Sequence, residues 1–146
     1  SEDQKITWSF TTDTPAGEWS KPGFDESAWK KGKAPFASND RKPTTEWKSA
    51  DIWIRRVIEL PADVKGLVAL RIQYDDEAEV YLNGICAARL SGFIANYALH
   101  DITPEARATL QPGRNLVAIH CHNKTGGQFV DAGLVLLDEG KPEKSQ

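Results

Sequence analysis

Short runs rich in Ile, Val, Leu, Trp and Tyr alternate along this chain with turn-forming residues, at intervals of about ten positions. This spacing is typical of β-sandwiches and barrels. It predicts an all-β fold, a jelly-roll β-sandwich of about eight antiparallel strands. The predicted strands are Ile6–Phe10, Asp51–Leu60, Leu67–Tyr74, Ala78–Leu82, Ile85–Leu90, Tyr97–Ile102, Asn115–His122 and Val130–Leu137.

Helical signals are brief and predict one or two short turns that connect strands. Thr103 is a favourable N-cap residue and Pro104 suits the first position of a helix, which would run to about Leu110. Asp25–Trp29 is long enough for one turn. The segment Thr11–Lys48 is rich in Trp and Pro and shows little alternation, so we interpret it as long ordered loops, where ligand binding usually resides.

Composition bounds the domain and its partners. The 146 residues, 40% hydrophobic, are enough for one domain with its own core, predicted as 1–137, with a polar linker stub at 138–146. The 18 Lys and Arg and 21 Asp and Glu are scattered, which disfavours nucleic acid and membrane surfaces as partners. Because the sequence contains no Met, we expect a segment of a longer polypeptide.

The stretch YDDEAEVYLNG, Tyr74–Gly84, contains acidic residues that invite a catalytic interpretation. Glu77 and Glu79, two positions apart on a strand, would lie near the carboxyl separation of inverting glycosidases. Nothing in the sequence marks a cleft around them, so we expect a solvated strand face. The run also lacks the alternation and glycine turn of an EF-hand loop, so no calcium site is indicated. Asn83-Gly84 predicts a type I′ hairpin.

Two further features have a structural and a functional interpretation. Arg56 interrupts the apolar face of Asp51–Leu60, and we expect a structural ion pair in preference to a ligand contact, because an uncompensated buried guanidinium is costly. His120 and His122 share a strand face, but a zinc site needs more ligands, so we expect ordinary strand histidines. The hairpin predicted at Asn83-Gly84 also implies that Ala78, Val80 and Leu82 point inward, against Ile85 and Ala87.

Saccharide binding needs flat aromatic faces and planar polar side chains. Residues of both kinds lie in loop-like places, in the N-terminal third, after Gly92 and around Gly126-Gly127. The candidate carbohydrate-binding residues are Trp19, Trp47, Phe93, Tyr97, Asn123, Gln128 and Asp131. We find no candidate catalytic residue, metal ligand or cofactor motif.

Several segments, in order, resemble one known family. They are Phe24–Trp29 (FDESAW), Ala34–Phe36 (APF), Trp47 with Asp51–Arg56 (DIWIRR), Asp75–Gly84 (DDEAEVYLNG), Gly113–Ala118 (GRNLVA) and Gly126–Leu134 (GGQFVDAGL). Together they resemble the galactose-binding-domain-like jelly rolls at the N-terminus of family 2 glycoside hydrolases. Related modules occur in carbohydrate-active proteins of Bacteroidetes and planctomycetes, some of them glutaminase-like. The resemblance spans about residues 8 to 137.

This resemblance implies a non-catalytic, carbohydrate-binding accessory module of a larger secreted glycan-degrading enzyme. Its partners would be a saccharide ligand and the parent's catalytic domain, and its location the bacterial periplasm or the cell exterior. No cofactor is implied. The alternative is a structural interaction domain that packs on the parent's catalytic domain without binding sugar, because a fold does not by itself specify a function.

Overall fold

The computed structural model describes residues 6–39, 43–62, 67–92, 96–124, 126–137 and 144–145. These residues form twelve strands and one helix. In chain order they are β1 (Thr7–Thr11), β2 (Lys30–Lys33), β3 (Phe36–Ala37), β4 (Thr45–Glu46), β5 (Asp51–Leu60), β6 (Leu67–Asp75), β7 (Glu77–Leu82), β8 (Ile85–Leu90), β9 (Ala98–His100), α1 (Pro104–Arg107), β10 (Gly113–His122), β11 (Phe129–Leu137) and β12 (Lys144–Ser145).

The strands form two sheets, as the all-β sandwich prediction requires. Sheet I has the order β2-β1-β5-β10-β7-β8, and sheet II has the order β4-β3-β11-β6-β9, with β12 also paired to β11. All pairs are antiparallel except β3 with β4. Sheet I is built around the ladder of ten residue pairs between β5 and β10, and sheet II around the ladder of nine residue pairs between β6 and β11.

Strict alternation along the long strands creates the core between the sheets. One face of each long strand carries apolar side chains that belong to a single buried cluster. Its members from the long strands are Ile52, Ile54, Ile58, Leu60, Ala78, Val80, Leu82, Val117, Ile119 and Cys121 in sheet I, and Val68, Leu70, Ile72, Tyr74, Val130, Ala132 and Leu134 in sheet II. The opposite face of sheet I, its outer face, points away from this core.

All eight predicted strands are present, and β5 and β8 have the predicted bounds. The interpretation of the N-terminal third as loops alone was wrong, because β2, β3 and β4 form there. These short strands pair with neighbours at the sheet edges, so they leave no alternating pattern of their own. Asp25–Trp29 forms a single hydrogen-bonded turn, whereas α1 begins after its predicted cap residue Thr103.

The predicted hairpin joins β7 to β8. Asn83 and Gly84 have φ angles of 49° and 89°, as a type I′ turn requires. The inward positions Ala78, Val80 and Leu82 are at most 1% exposed, and so is Ala87. The prediction that Ile85 packs in the core was wrong: it lies opposite Leu82 at the start of the edge strand β8 and is 40% exposed.

Hydrogen bonds between two side-chain amides, those of Asn83 and Asn115, connect this hairpin to the neighbouring strand. Asn83 Nδ2 donates to the Thr109 carbonyl and to Asn115 Oδ1, both at 3.0 Å, while Asn83 Oδ1 accepts from the Leu116 N–H at 2.8 Å. Asn115 is 1% exposed, and its Nδ2 donates to the Gln111 carbonyl at 2.7 Å. The turn residue therefore also positions the start of β10.

Both cysteines are free. Cys121 is buried, and burial raises the pKa of its thiol far above the ordinary value, whereas Cys86 is partly exposed. Within the described ranges, no helix has the length and apolar character needed to cross a membrane. Residues 138–143 and 146 lie outside the described residues, so the linker stub remains a prediction.

Candidate ligand-binding surface

A row of charged and imidazole side chains crosses the outer face of sheet I. We call it the polar row: Asp51 from β5, His120 and His122 from β10, Glu79 from β7 and Arg89 from β8. Asp51 Oδ1 lies 2.8 Å from both His120 Nε2 and His122 Nδ1. Glu79 Oε1 lies 3.3 Å from His120 Nδ1, and Arg89 pairs with the other oxygen of Glu79.

Strand register brings these groups together. His120 lies opposite Glu79, which lies opposite Arg89, and His122 lies opposite Asp51. Burial alone would raise the pKa of Asp51, but hydrogen bonds from the two imidazoles outweigh it, and the pKa falls below the ordinary 3.8. The Asp51 carboxylate is thus ionised at neutral pH.

Aromatic rings flank the polar row. Trp53 is 6% exposed and stacks on His120, with ring centroids 4.6 Å apart and planes within 3°. The Trp19 ring lies edge-on to the Tyr81 ring, with centroids 5.5 Å apart, and to the His120 ring, with centroids 6.5 Å apart. Trp19 and Tyr81 are partly exposed, so the outer face of sheet I combines partly exposed aromatic residues with hydrogen-bonded polar groups.

A buried arginine holds the Trp19 segment onto this face. Arg55, 3% exposed, donates from Nε to Glu26 Oε1 at 2.7 Å and from Nη1 to the Trp19 carbonyl and to the Lys21 carbonyl, the latter at 3.0 Å. Its guanidinium carbon lies 5.2 Å from the Phe24 ring centroid. Burial would raise the pKa of Glu26, but hydrogen bonds from Arg55 and Ser9 lower it on balance. The segment 19–26 is thus anchored by one cation.

The charge predicted to need an ion pair, Arg56, is placed differently. It forms no salt bridge within the described part of the chain, and its guanidinium carbon lies 5.7 Å from the Trp8 ring centroid. Burial lowers the pKa of Arg56, an effect that the charge of Asp131 opposes. The predicted ion pair was wrong, because Arg56 faces Trp8 on the inner side of β5 and forms no salt bridge with a described carboxylate there. Arg55, one position earlier, faces outward and pairs with Glu26.

Metal and catalytic interpretations of the same residues gain no support. No three His, Cys, Asp or Glu side chains in the described ranges are grouped to hold a metal ion. Glu77 pairs with Lys124 Nζ at 2.5 Å, while Glu79 is held by Arg89 and His120. Both glutamates are therefore engaged by neighbouring cationic or imidazole side chains.

Two predicted binding residues come together in a buried place. Trp47 is 1% exposed, and its Nε1 donates to Ser49 Oγ at 3.1 Å. Gln128 is 4% exposed, and its Nε2 donates to the Ser49 carbonyl. Both side chains brace the chain before β5, and neither presents an accessible face in this structure.

The other candidates lie near β9 and β11. The Tyr97 hydroxyl donates to Asp131, which is fully buried, and the Tyr97 ring meets that of Phe129 at 6.3 Å. Asn123 is partly buried and donates from Nδ2 to the Gly126 carbonyl at 3.4 Å. Phe93 lies outside the described residues. Among the described candidates, only Trp19 lies on the outer face of sheet I beside the polar row.

Sequence reasoning missed Asp51, Trp53 and Tyr81 as parts of this surface. It treated the Glu77–Glu79 and His120–His122 pairs separately, as catalytic and metal hypotheses. The usable signal was that all of these residues occupy outward positions of alternating strands. The strand order β5-β10-β7, which makes them neighbours, was not visible in the sequence.

No protein-family model matches the chain, and no curated protein sequence matches it. Solved structures do. A β-glucuronidase from glycoside hydrolase family 2 matches with TM-score 0.61 and 20% identity, over 84% of this chain and 14% of that one. Bacteroides uniformis β-glucuronidase matches with TM-score 0.63 and 18% identity, over 84% of this chain and 15% of that one. Faecalibacterium prausnitzii β-glucuronidase matches with TM-score 0.57 and 24% identity, over 84% of this chain and 21% of that one.

This chain therefore spans only a small fraction of each matched enzyme, although most of its own length is covered. At these identities the likeness establishes the fold alone. The fold is that of a jelly-roll module that forms a domain-sized part of family 2 glycoside hydrolases, the group that its sequence motifs resemble.

Proposed function

We propose that this chain is a non-catalytic, carbohydrate-binding accessory module of a larger glycan-degrading enzyme. The observation that carries the proposal is the partly exposed Trp19 beside the polar row. Aromatic faces stack on the C–H groups of sugar rings, and carboxylates and imidazoles bond to hydroxyls. The fold, shared with small parts of glycoside hydrolases, supports the accessory role.

The surface offers suitable donors and acceptors. The side chains of His122 and Arg89 are 40% and 65% exposed, at opposite ends of the row, while those of Asp51 and Glu79 are about one-third exposed. Their internal contacts orient them before a ligand arrives, which lowers the entropy lost on binding. As part of the same proposal, the parent enzyme is bacterial and exported to the periplasm or the cell exterior.

The direct test is a glycan array followed by isothermal titration, with the variants Trp19→Ala and Trp29→Ala. Trp29 is a matched control because it lies in the same N-terminal third, is also partly exposed, and packs on Phe24 at 5.7 Å. Loss of a stacking ring should weaken binding at least about tenfold in Trp19→Ala. Trp29→Ala should bind like wild type. A folded protein that binds no glycan at millimolar concentration would exclude the proposal.

A second candidate function is docking on the parent's catalytic domain without sugar binding. Ile85 and Leu99 favour it, since they are 40% and 42% exposed in β8 and β9, the outermost strands of their sheets. Exposed apolar side chains at strand edges are a common basis of association. Ile85→Asp with Leu99→Asp in the full-length enzyme should then weaken parental activity while glycan binding is kept. Unchanged activity would count against docking.

A further inference from the structure

A groove of about 700 Å³ opens next to the point where β1 leaves β5. The β1–β5 ladder runs from the Thr11–Trp53 pair to the Ser9–Arg55 pair and stops there. Trp8 and Arg56 are the next positions on the two strands, and both line the groove. The break in the ladder therefore lets the groove reach side chains that belong to the inner face of sheet I.

Two buried N–H donors lie in this lining. Trp8 Nε1 and Arg56 Nη1 have no hydrogen-bond acceptor among the described residues. Trp8 is 1% exposed, and the Arg56 guanidinium lies over its ring at 5.7 Å, so the two donors are close to each other. Buried donors are almost always paired in folded proteins, and an unpaired one is a reason to look for a missing acceptor.

The charge of the lining is one-sided. Four cationic residues, Lys31, Arg55, Arg56 and Arg114, line the groove together with one carboxylate, Glu26, in a chain whose net charge is -3. Outside the lining, the charge of Asp131 also acts on Arg56. Glu26 is already engaged by Arg55 at 2.7 Å and by Lys31 at 3.6 Å. A concave surface of one sign concentrates ligands of the opposite sign. The groove is therefore suited to an anion.

We propose that this groove binds an acidic saccharide through its carboxylate or sulfate group. Arg56 and the Trp8 indole N–H donate to the anionic oxygens, and Arg114 and Lys31 attract the anion at the mouth. Guanidinium groups match the planar fork of a carboxylate and bind sulfate oxygens equally well. The volume falls within the range of small-molecule sites. This is a second site, distinct from the Trp19 surface, and it does not depend on sugar binding there.

The test is an NMR and calorimetric titration of the whole chain with three probes of similar length. They are tri-galacturonate as the carboxylate, a sulfated disaccharide as the sulfate, and neutral galactotriose. At low salt we expect an acidic probe to shift the Trp8 indole N–H resonance, and neutral galactotriose to leave it unmoved. Raising the salt tenfold should weaken binding of the acidic probe. Response to only one acidic probe identifies the anionic group.

Arg56→Gln should weaken binding of the acidic probe at least about tenfold, since it removes a charge-assisted contact. Arg114→Gln should weaken that binding by a smaller factor at low salt, since it removes an attracting charge at the mouth. Arg114 is exposed, so its variant remains informative if Arg56→Gln folds poorly. Arg107→Gln makes the same charge change outside the lining and should stay within about twofold of wild type.

An equal shift of the Trp8 indole N–H resonance by acidic and neutral probes, or an Arg114→Gln variant that binds the acidic probe as wild type does at low salt, would overturn the groove proposal. Trp19→Ala separates it from the proposed function. That variant should lose binding of neutral sugar while the Trp8 indole response to the acidic probe persists.

Discussion

Replacing Arg55 with methionine is expected to lower the free energy of unfolding by about 2–4 kcal/mol. The guanidinium is 3% exposed and makes three hydrogen bonds, to Glu26, Trp19 and Lys21. Losing one partner of a fully buried ion pair costs about 3–5 kcal/mol. The Glu26 side chain is 30% exposed, so water partly replaces the lost contact. The expected loss of unfolding free energy is therefore smaller than for a fully buried pair.

Urea unfolding followed by tryptophan fluorescence measures this change, and a thermal scan should show a drop of about 4–16 °C. Arg89→Met is the matched control. Arg89 also pairs with a glutamate on the outer face of sheet I, but its side chain is 65% exposed. Such a pair contributes about 0–1 kcal/mol. If Arg55→Met lost no more stability than Arg89→Met, the anchoring role of Arg55 would be refuted.

The pH dependence gives an independent check. The pKa of Glu26 lies below its ordinary value of 4.5 in the folded chain. A lowered carboxylate pKa adds stability that is complete above the ordinary pKa and is lost as the pH falls through the folded pKa. The stability gap between wild type and Arg55→Met should therefore narrow as the pH falls below about 4.5. A gap that stayed constant down to pH 2 would contradict the ion-pair part of the argument.

Three other outcomes are expected. Asn115→Ala should lower the unfolding free energy by about 2–4 kcal/mol, since it removes the hydrogen-bond partner of Asn83 Nδ2 and of the Gln111 and Gly113 carbonyls; a wild-type unfolding free energy in urea titration would contradict this. Iodoacetamide at neutral pH should alkylate Cys86 but not buried Cys121, as mass spectrometry of the labelled peptides will show. In Asp51→Asn, stability should fall less between pH 7 and pH 2 than in wild type, because the lowered pKa of Asp51 is removed; equal losses in urea titrations would refute it.

Local chemistry made much of the fold predictable. Asn83-Gly84 specified the hairpin because only residues that tolerate positive φ suit a type I′ turn. Thr103 and Pro104 specified the start of α1 through capping. The two-residue strands β3 and β4 carried no comparable signal, since they exist only by pairing with each other and with β11.

The candidate site was less predictable. Trp19 and Trp47 look alike in the sequence, as aromatic residues in a loop-rich region. Trp19 remains partly exposed beside His120, whereas Trp47 is buried and bonded to Ser49. Arg55 and Arg56 are neighbours in sequence, yet alternation sends one into an ion pair and the other toward Trp8. Which of two similar residues is accessible depends on what covers it.

The sequence by itself determined the all-β class, the long strands and the residues of the core, because period-two alternation and turn chemistry act over a few neighbouring residues. Only the tertiary structure decided that Asp51, His120 and Glu79 form one row, and that Trp8 and Arg56 share a groove. The physical reason is the distance along the chain between the residues that come together. His120 is 41 positions from Glu79 and 69 positions from Asp51 along the chain, and strand order and register, which no local signal encodes, bring these groups into contact.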